Sequence, residues 1–169
     1  EFKATRATFD ECVDFILDDL KLAKENLPAY DKAEKGRANV DIAMALEARF
    51  TLIVASELFN DPNDPAPANP LTKGAYSEDK WKKALAANKT FIEQCGPHYS
   101  LPAKYSDSWT NPASTEIIWA KYFSNTSGDL AKRTAKAQYY YGPAYLGGWR
   151  GCAPTEALII DYEMANGKK

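Results

Sequence analysis

The residues best suited to chemistry crowd into one run near the end of the chain, YYYGPAYLGGWRG, residues 139–151. Tyrosine and tryptophan combine a flat apolar body with a polar tip, so they can stack on an apolar face and hydrogen-bond at its edge. A pyranose ring has that face in its C–H bonds, with hydroxyls around the rim. Gly142, Gly147 and Gly148 let the backbone bend so that rings project outward. Trp149 and Tyr145 lead the candidates for such a platform, followed by Tyr139, Tyr140 and Tyr141, with Arg150 as an edge donor. The competing reading of the same rings is packing beneath irregular loops.

Other chemistries find less support. Glycoside hydrolysis needs two carboxylates about 5–10 Å apart across the scissile bond. Glu116, Glu156, Asp161 and Glu163 are available, but such a set occurs in any globular chain, and Asp161 and Glu163 read as the polar side of a short helix. No GxSxG, phosphate loop or HExxH is present, and no enzymatic activity is expected. Cys12, Cys95 and Cys152 lack metal-ligand spacing, and His98 is the only histidine, so free thiols are expected and no metal or cofactor. Asp61, Asn63 and Asp64 lack the EF-hand spacing and read as a solvated turn.

The chain that carries these residues has 169 residues, with 45% hydrophobic and 26% charged, enough for one domain with a core. A net charge of -2 argues against nucleic acid as a partner. No apolar run approaches the roughly 20 residues that span a bilayer. The start shows no signal peptide, which fits either a cytosolic chain or a piece of a longer exported precursor.

Helical periods organise the first half. Thr8-Phe9-Asp10-Glu11 reads as a capping box opening an amphipathic helix to Leu27, stopped by Pro28. Asn39 caps a second helix within GRANVDIAMALEARFTLIVASE, residues 36–57, whose alanines permit close helix approach and whose surface other helices should cover. Prolines 62, 65, 67 and 70 impose an extended loop. Ser77 caps a third helix over about 78–94, ended by Gly96-Pro97, with Trp81 expected in the core. Beyond His98 the helical period is lost. The β-branched and aromatic run 117–123 predicts a short strand, with Trp119 in the core, and Pro154-Thr155-Glu156 restarts a helix.

The order of these signals resembles the SusD/RagB family of outer-membrane nutrient-binding lipoproteins of Bacteroidetes. The resemblance is carried by FDECVDFILDDLKLAKENLP, GRANVDIAMALEARFTLIVASE, WKKALAANKTFIEQCGPHYSL, STEIIWAKYFS and APTEALIIDYEMANGK. It covers only the middle section of family members, so the chain is expected to be a single domain or a fragment of a larger SusD-like protein. Residues 1–97 would form a helical hairpin region and 98–169 an irregular ligand-binding region. The implied fold is mainly α, with tetratricopeptide-like antiparallel helical hairpins, an irregular aromatic-rich segment and a short strand pair. The implied function is non-catalytic capture of an oligosaccharide, or in some members a peptide, by a surface lipoprotein of the outer membrane. Its partner would be a SusC-like TonB-dependent transporter. The alternative is a tetratricopeptide-like scaffold binding a peptide or partner protein on its helical faces.

Overall fold

The computed structural model describes residues 5–122, 140–142, 144–149, 151 and 153–168, without the side chains of Trp109 and Leu146. The fold is mainly α, and the chain divides into two compact units, Glu1–Ala120 and Lys121–Lys169.

The first unit is built on three helices, α1 (Phe9–Asn26), α2 (Val40–Ala55) and α3 (Glu78–Cys95). Each starts where a side chain satisfies an amide of the first turn. Thr8 accepts from Glu11 N while the Glu11 carboxylate accepts from Thr8 N at 2.7 Å, completing the capping box. Asn39 Oδ1 accepts from Ile42 N at 3.0 Å, and Ser77 Oγ from Asp79 N at 3.2 Å. These bonds engage donors that no helical carbonyl can reach.

α2 packs against both α1 and α3. The seam between α2 and α3 includes the buried Ala48 and Ala84 and the contact of Met44 Sδ with Cys95 Sγ at 3.6 Å, and Ala55 of α2 is also buried. Asn88 crosses this seam, donating from Nδ2 to Ala48 O at 3.0 Å and to Ala84 O at 2.8 Å. On the α1 side, Lys24 pairs with Glu47 at 2.5 Å. Only part of α2 is covered, however. Leu46, Leu52 and Ile53 are exposed, because two flanking helices cannot enclose a third. Trp81, expected in the core, is 47% exposed.

The proline-rich loop is tied down at both ends. Asn60, 1% exposed, accepts from Ser77 N at 2.8 Å and donates to Ser77 O at 3.0 Å. Phe9 N donates to Pro70 O, and the Phe9 and Phe59 rings stack at 5.1 Å. A Cβ at Gly74 would lie 2.1 Å from Asp10 Oδ1, so a larger residue there would displace the Asp10 carboxylate.

After α3 come a 3-10 turn (Gly96–His98) and a short helix α4 (Asp107–Thr110). The strand expected over 117–123 does not form in its described part, 117–122, which runs as bends and irregular chain. Ser100 and Thr115 exchange a backbone bond at 3.2 Å and a hydroxyl bond at 2.7 Å. Among the described residues the pairing ends there. Trp119 is 60% exposed instead of buried, with its indole N–H donating to Gly36 O at 3.1 Å. Gly36 sits in a turn with φ 85°, a backbone shape suited to glycine.

The second unit has a 3-10 turn (Ala144–Leu146) and a helix α5 (Glu156–Asp161) capped by Thr155, whose Oγ1 accepts from Leu158 N at 3.3 Å. Among the described residues no helix is long and apolar enough to cross a membrane.

Candidate functional site

Local geometry in the second unit turns the aromatic run into a set of outward rings. Gly147 has φ 82°, which reverses the chain after the 3-10 turn. Gly148 passes so close to Gly142 that a Cβ would lie 1.8 Å from the Gly142 carbonyl oxygen. Only glycine fits at that crossing. It brings Tyr140 and Trp149 together edge to face, with ring centres 5.4 Å apart, a favoured arrangement of the two ring quadrupoles. Gly151 lies beside the Tyr140 ring, where a Cβ would approach Cδ1 to 3.2 Å.

The predicted platform residues are accordingly open to solvent. Tyr145 is 83% exposed and Trp149 64%, while Tyr141 is exposed and Tyr140 about half so. Tyr139 and Arg150 lie outside the described residues. Tyr140 and Trp149 are in ring contact, whereas Tyr141 and Tyr145 stand apart from that pair among the described ring contacts. The site can offer apolar ring faces and phenol and indole edges.

A second cluster, in the first unit, escaped sequence reading. Asp41 at the start of α2 is 5% exposed, and its Oδ2 lies 2.6 Å from His98 Nδ1. The His98 ring stacks on Tyr30 at 4.4 Å, and Tyr99 lies edge-on to both. The Tyr99 hydroxyl is buried without a hydrogen bond of proper geometry. Burial first, then the nearby Asp41 carboxylate, pushes its pKa well above the usual phenol range. The same causes push the Cys95 thiol up to about 11, with Met44 Sδ 3.6 Å from its sulfur. Both groups are held neutral, so the cluster serves as a polar tie between the 3-10 turn and α2. Nothing in 57 residues of separation announces it.

The acidic turn is also accounted for. Asp61 Oδ1 accepts from Asn63 N at 2.7 Å, and Lys73 Nζ lies 2.7 Å from Asp64 and 3.5 Å from Asp61. The backbone bond from Asn63 is the main cause lowering the Asp61 pKa, with Lys73 adding to it. Lys73 thus balances the charge of both carboxylates. Among the described residues, no group of three metal-ligating side chains exists. Cys12 is a free, exposed thiol and Cys95 a free, buried one, while Cys152 lies outside the described residues.

No family model matches the chain, and no curated protein does. Among solved structures, it is similar to BT4246 from Bacteroides thetaiotaomicron, at 24% identity over 83% of this chain, with a TM-score of 0.46. The selenomethionine form of BT4246 gives 24% identity and a TM-score of 0.44. The chain spans 26% of the length of that protein.

Proposed function

We propose that the chain is part of a SusD/RagB-type surface lipoprotein that captures oligosaccharide at the outer membrane, without catalysis, for a SusC-like TonB-dependent transporter. The observation that carries this reading is the exposure of Tyr141, Tyr145 and Trp149 around a turn only glycine can make. Large aromatic rings left in water on one short segment mark an interaction surface. The ordered motifs of the resemblance supply the family, the ligand class and the transporter.

The test is a saccharide-binding screen on the purified chain and its full-length parent, by affinity electrophoresis and calorimetry. Trp149→Ala and Tyr145→Ala should each weaken binding about tenfold, since a stacked ring is worth roughly 1–1.5 kcal/mol. Binding that survives both substitutions unchanged removes the platform from the site.

One observation favours the scaffold reading. Trp81, Leu85 and Ile92 recur at helical spacing on α3 and are all exposed, as a helix-facing or peptide-facing stripe would be. Charged replacements at Leu85 and Ile92 would then abolish partner binding and leave saccharide binding intact.

A further inference from the structure

The first unit contains a cleft of about 320 Å³ bordered by α1, α2 and the start of α3. Its size is at the lower end of small-molecule sites, ~300–1,000 Å³. The floor is apolar, formed by Val13 and Leu17 of α1 and by Phe50 and Val54 of α2. The rim carries both signs of charge. Asp10 and Lys80 meet there at 3.5 Å, and Lys80 also donates to Ala75 O at 2.8 Å, so both are already engaged. Asp14 on α1 and Lys83 on α3 are exposed lining residues; among the described residues neither has an ion-pair partner within 4.0 Å, and Lys83 interacts only from beyond that distance with Asp79, whose closer partner is Lys82.

An apolar floor with one carboxylate and one ammonium on its rim, neither in a close ion pair among the described residues, is complementary to a particular chemistry. We propose that the cleft binds a small zwitterion with an apolar body, namely a free amino acid or short peptide with an aliphatic side chain. The side chain displaces water from the floor and gains the free energy of apolar burial. The ligand ammonium pairs with the Asp14 carboxylate and the ligand carboxylate with the Lys83 ammonium. A neutral oligosaccharide meets neither requirement, since it lacks both charges and an aliphatic side chain. The site lies wholly within residues 10–83 and stands independently of the aromatic segment.

Calorimetry on the intact chain with L-leucine, with L-leucyl-L-leucine and with uncharged N-acetyl-leucine amide tests the proposal. Saturable binding of either zwitterion, at least tenfold tighter than the amide, is expected. Leucine binding alone identifies an amino-acid site, and dipeptide binding alone a peptide site. Asp14→Asn and Lys83→Gln should each weaken it about tenfold, the scale of a charge-assisted contact. Both residues are exposed, so the variants should unfold at the parent temperature. Absence of saturable binding by both zwitterions at millimolar concentration overturns the proposal. So does an affinity unchanged in either variant, or equal binding of the amide.

Discussion

Replacing Asn60 with alanine should destabilise the helical unit more than any other polar substitution in the loop it anchors. The carboxamide exchanges two bonds with the backbone of Ser77, accepting from N at 2.8 Å and donating to O at 3.0 Å. A third contact, to Ala55 O at 3.5 Å, is long and adds little. Each lost bond is worth about 1 kcal/mol net, and a buried group left without a partner costs about 1–3 kcal/mol more. Ser77 is only partly buried, and water can reach some of what Asn60 releases, which places the total near 2–3 kcal/mol. For a chain of this size each kcal/mol lowers the unfolding midpoint by about 2–4 °C, so a drop of about 4–12 °C is expected. Urea and thermal unfolding followed by far-ultraviolet circular dichroism would read it. Asn69→Ala serves as control: its Oδ1 bond to Leu71 N, at 3.0 Å, is exposed, and its loss should cost under about 0.5 kcal/mol. A midpoint for Asn60→Ala equal to that of Asn69→Ala would refute the view that Asn60 closes the proline loop and sets the start of α3.

Two further outcomes follow from groups already described. In a Cys152→Ser background at pH 8, an alkylating reagent should modify Cys12 and leave Cys95 at least tenfold slower until the chain unfolds. Cys95 is 2% exposed, and its pKa of about 11 keeps the reactive thiolate scarce. Equal rates, measured by mass spectrometry, would show that the α2–α3 seam is open. Gly148→Ala places a methyl group 1.8 Å from the Gly142 carbonyl oxygen and must open the turn. Near-ultraviolet circular dichroism should report the changed packing of Tyr140 and Trp149, and saccharide affinity should fall at least tenfold. An unaltered spectrum would mean that the crossing tolerates a side chain.

Helix starts were legible in the sequence because capping is local. Thr8, Asn39 and Ser77 each act on an amide two or three residues away, and the sequence displays that spacing directly. Burial was less legible. The periodicity of α2 announces apolar faces, but the number of neighbours decides how many are covered, and Leu46 and Ile53 remain exposed. Trp81 misled for a related reason: a tryptophan one turn before alanines looks like core, yet the indole is left outside. The run at 117–122 has strand-forming residues but runs irregularly and makes no sheet pairing among the described residues, and β propensity alone does not form a strand. The aromatic segment was legible as composition. The Gly142–Gly148 crossing that arranges it is a tertiary contact with no sequence signature beyond the glycines themselves.

On the proposed reading, stability and recognition rest on different residues in this chain. The helical unit is held by buried small side chains at Ala48, Ala55 and Ala84 and by carboxamides that bridge backbone, Asn60 and Asn88. In the second unit, α5 has no buried residue, and the described rings of the aromatic segment are partly or largely exposed. Their geometry depends on glycine-permitted turns and on one edge-to-face ring contact. If these rings form the proposed platform, they gain little by burial in the free protein, and their apolar faces stay hydrated until a ligand covers them. The free energy of covering them is then released on binding and not on folding. Truncating Trp149 or Tyr145 should therefore register in affinity with little change in unfolding midpoint. Truncating Asn60 should do the reverse, and that separation distinguishes a recognition surface from a weakly packed core.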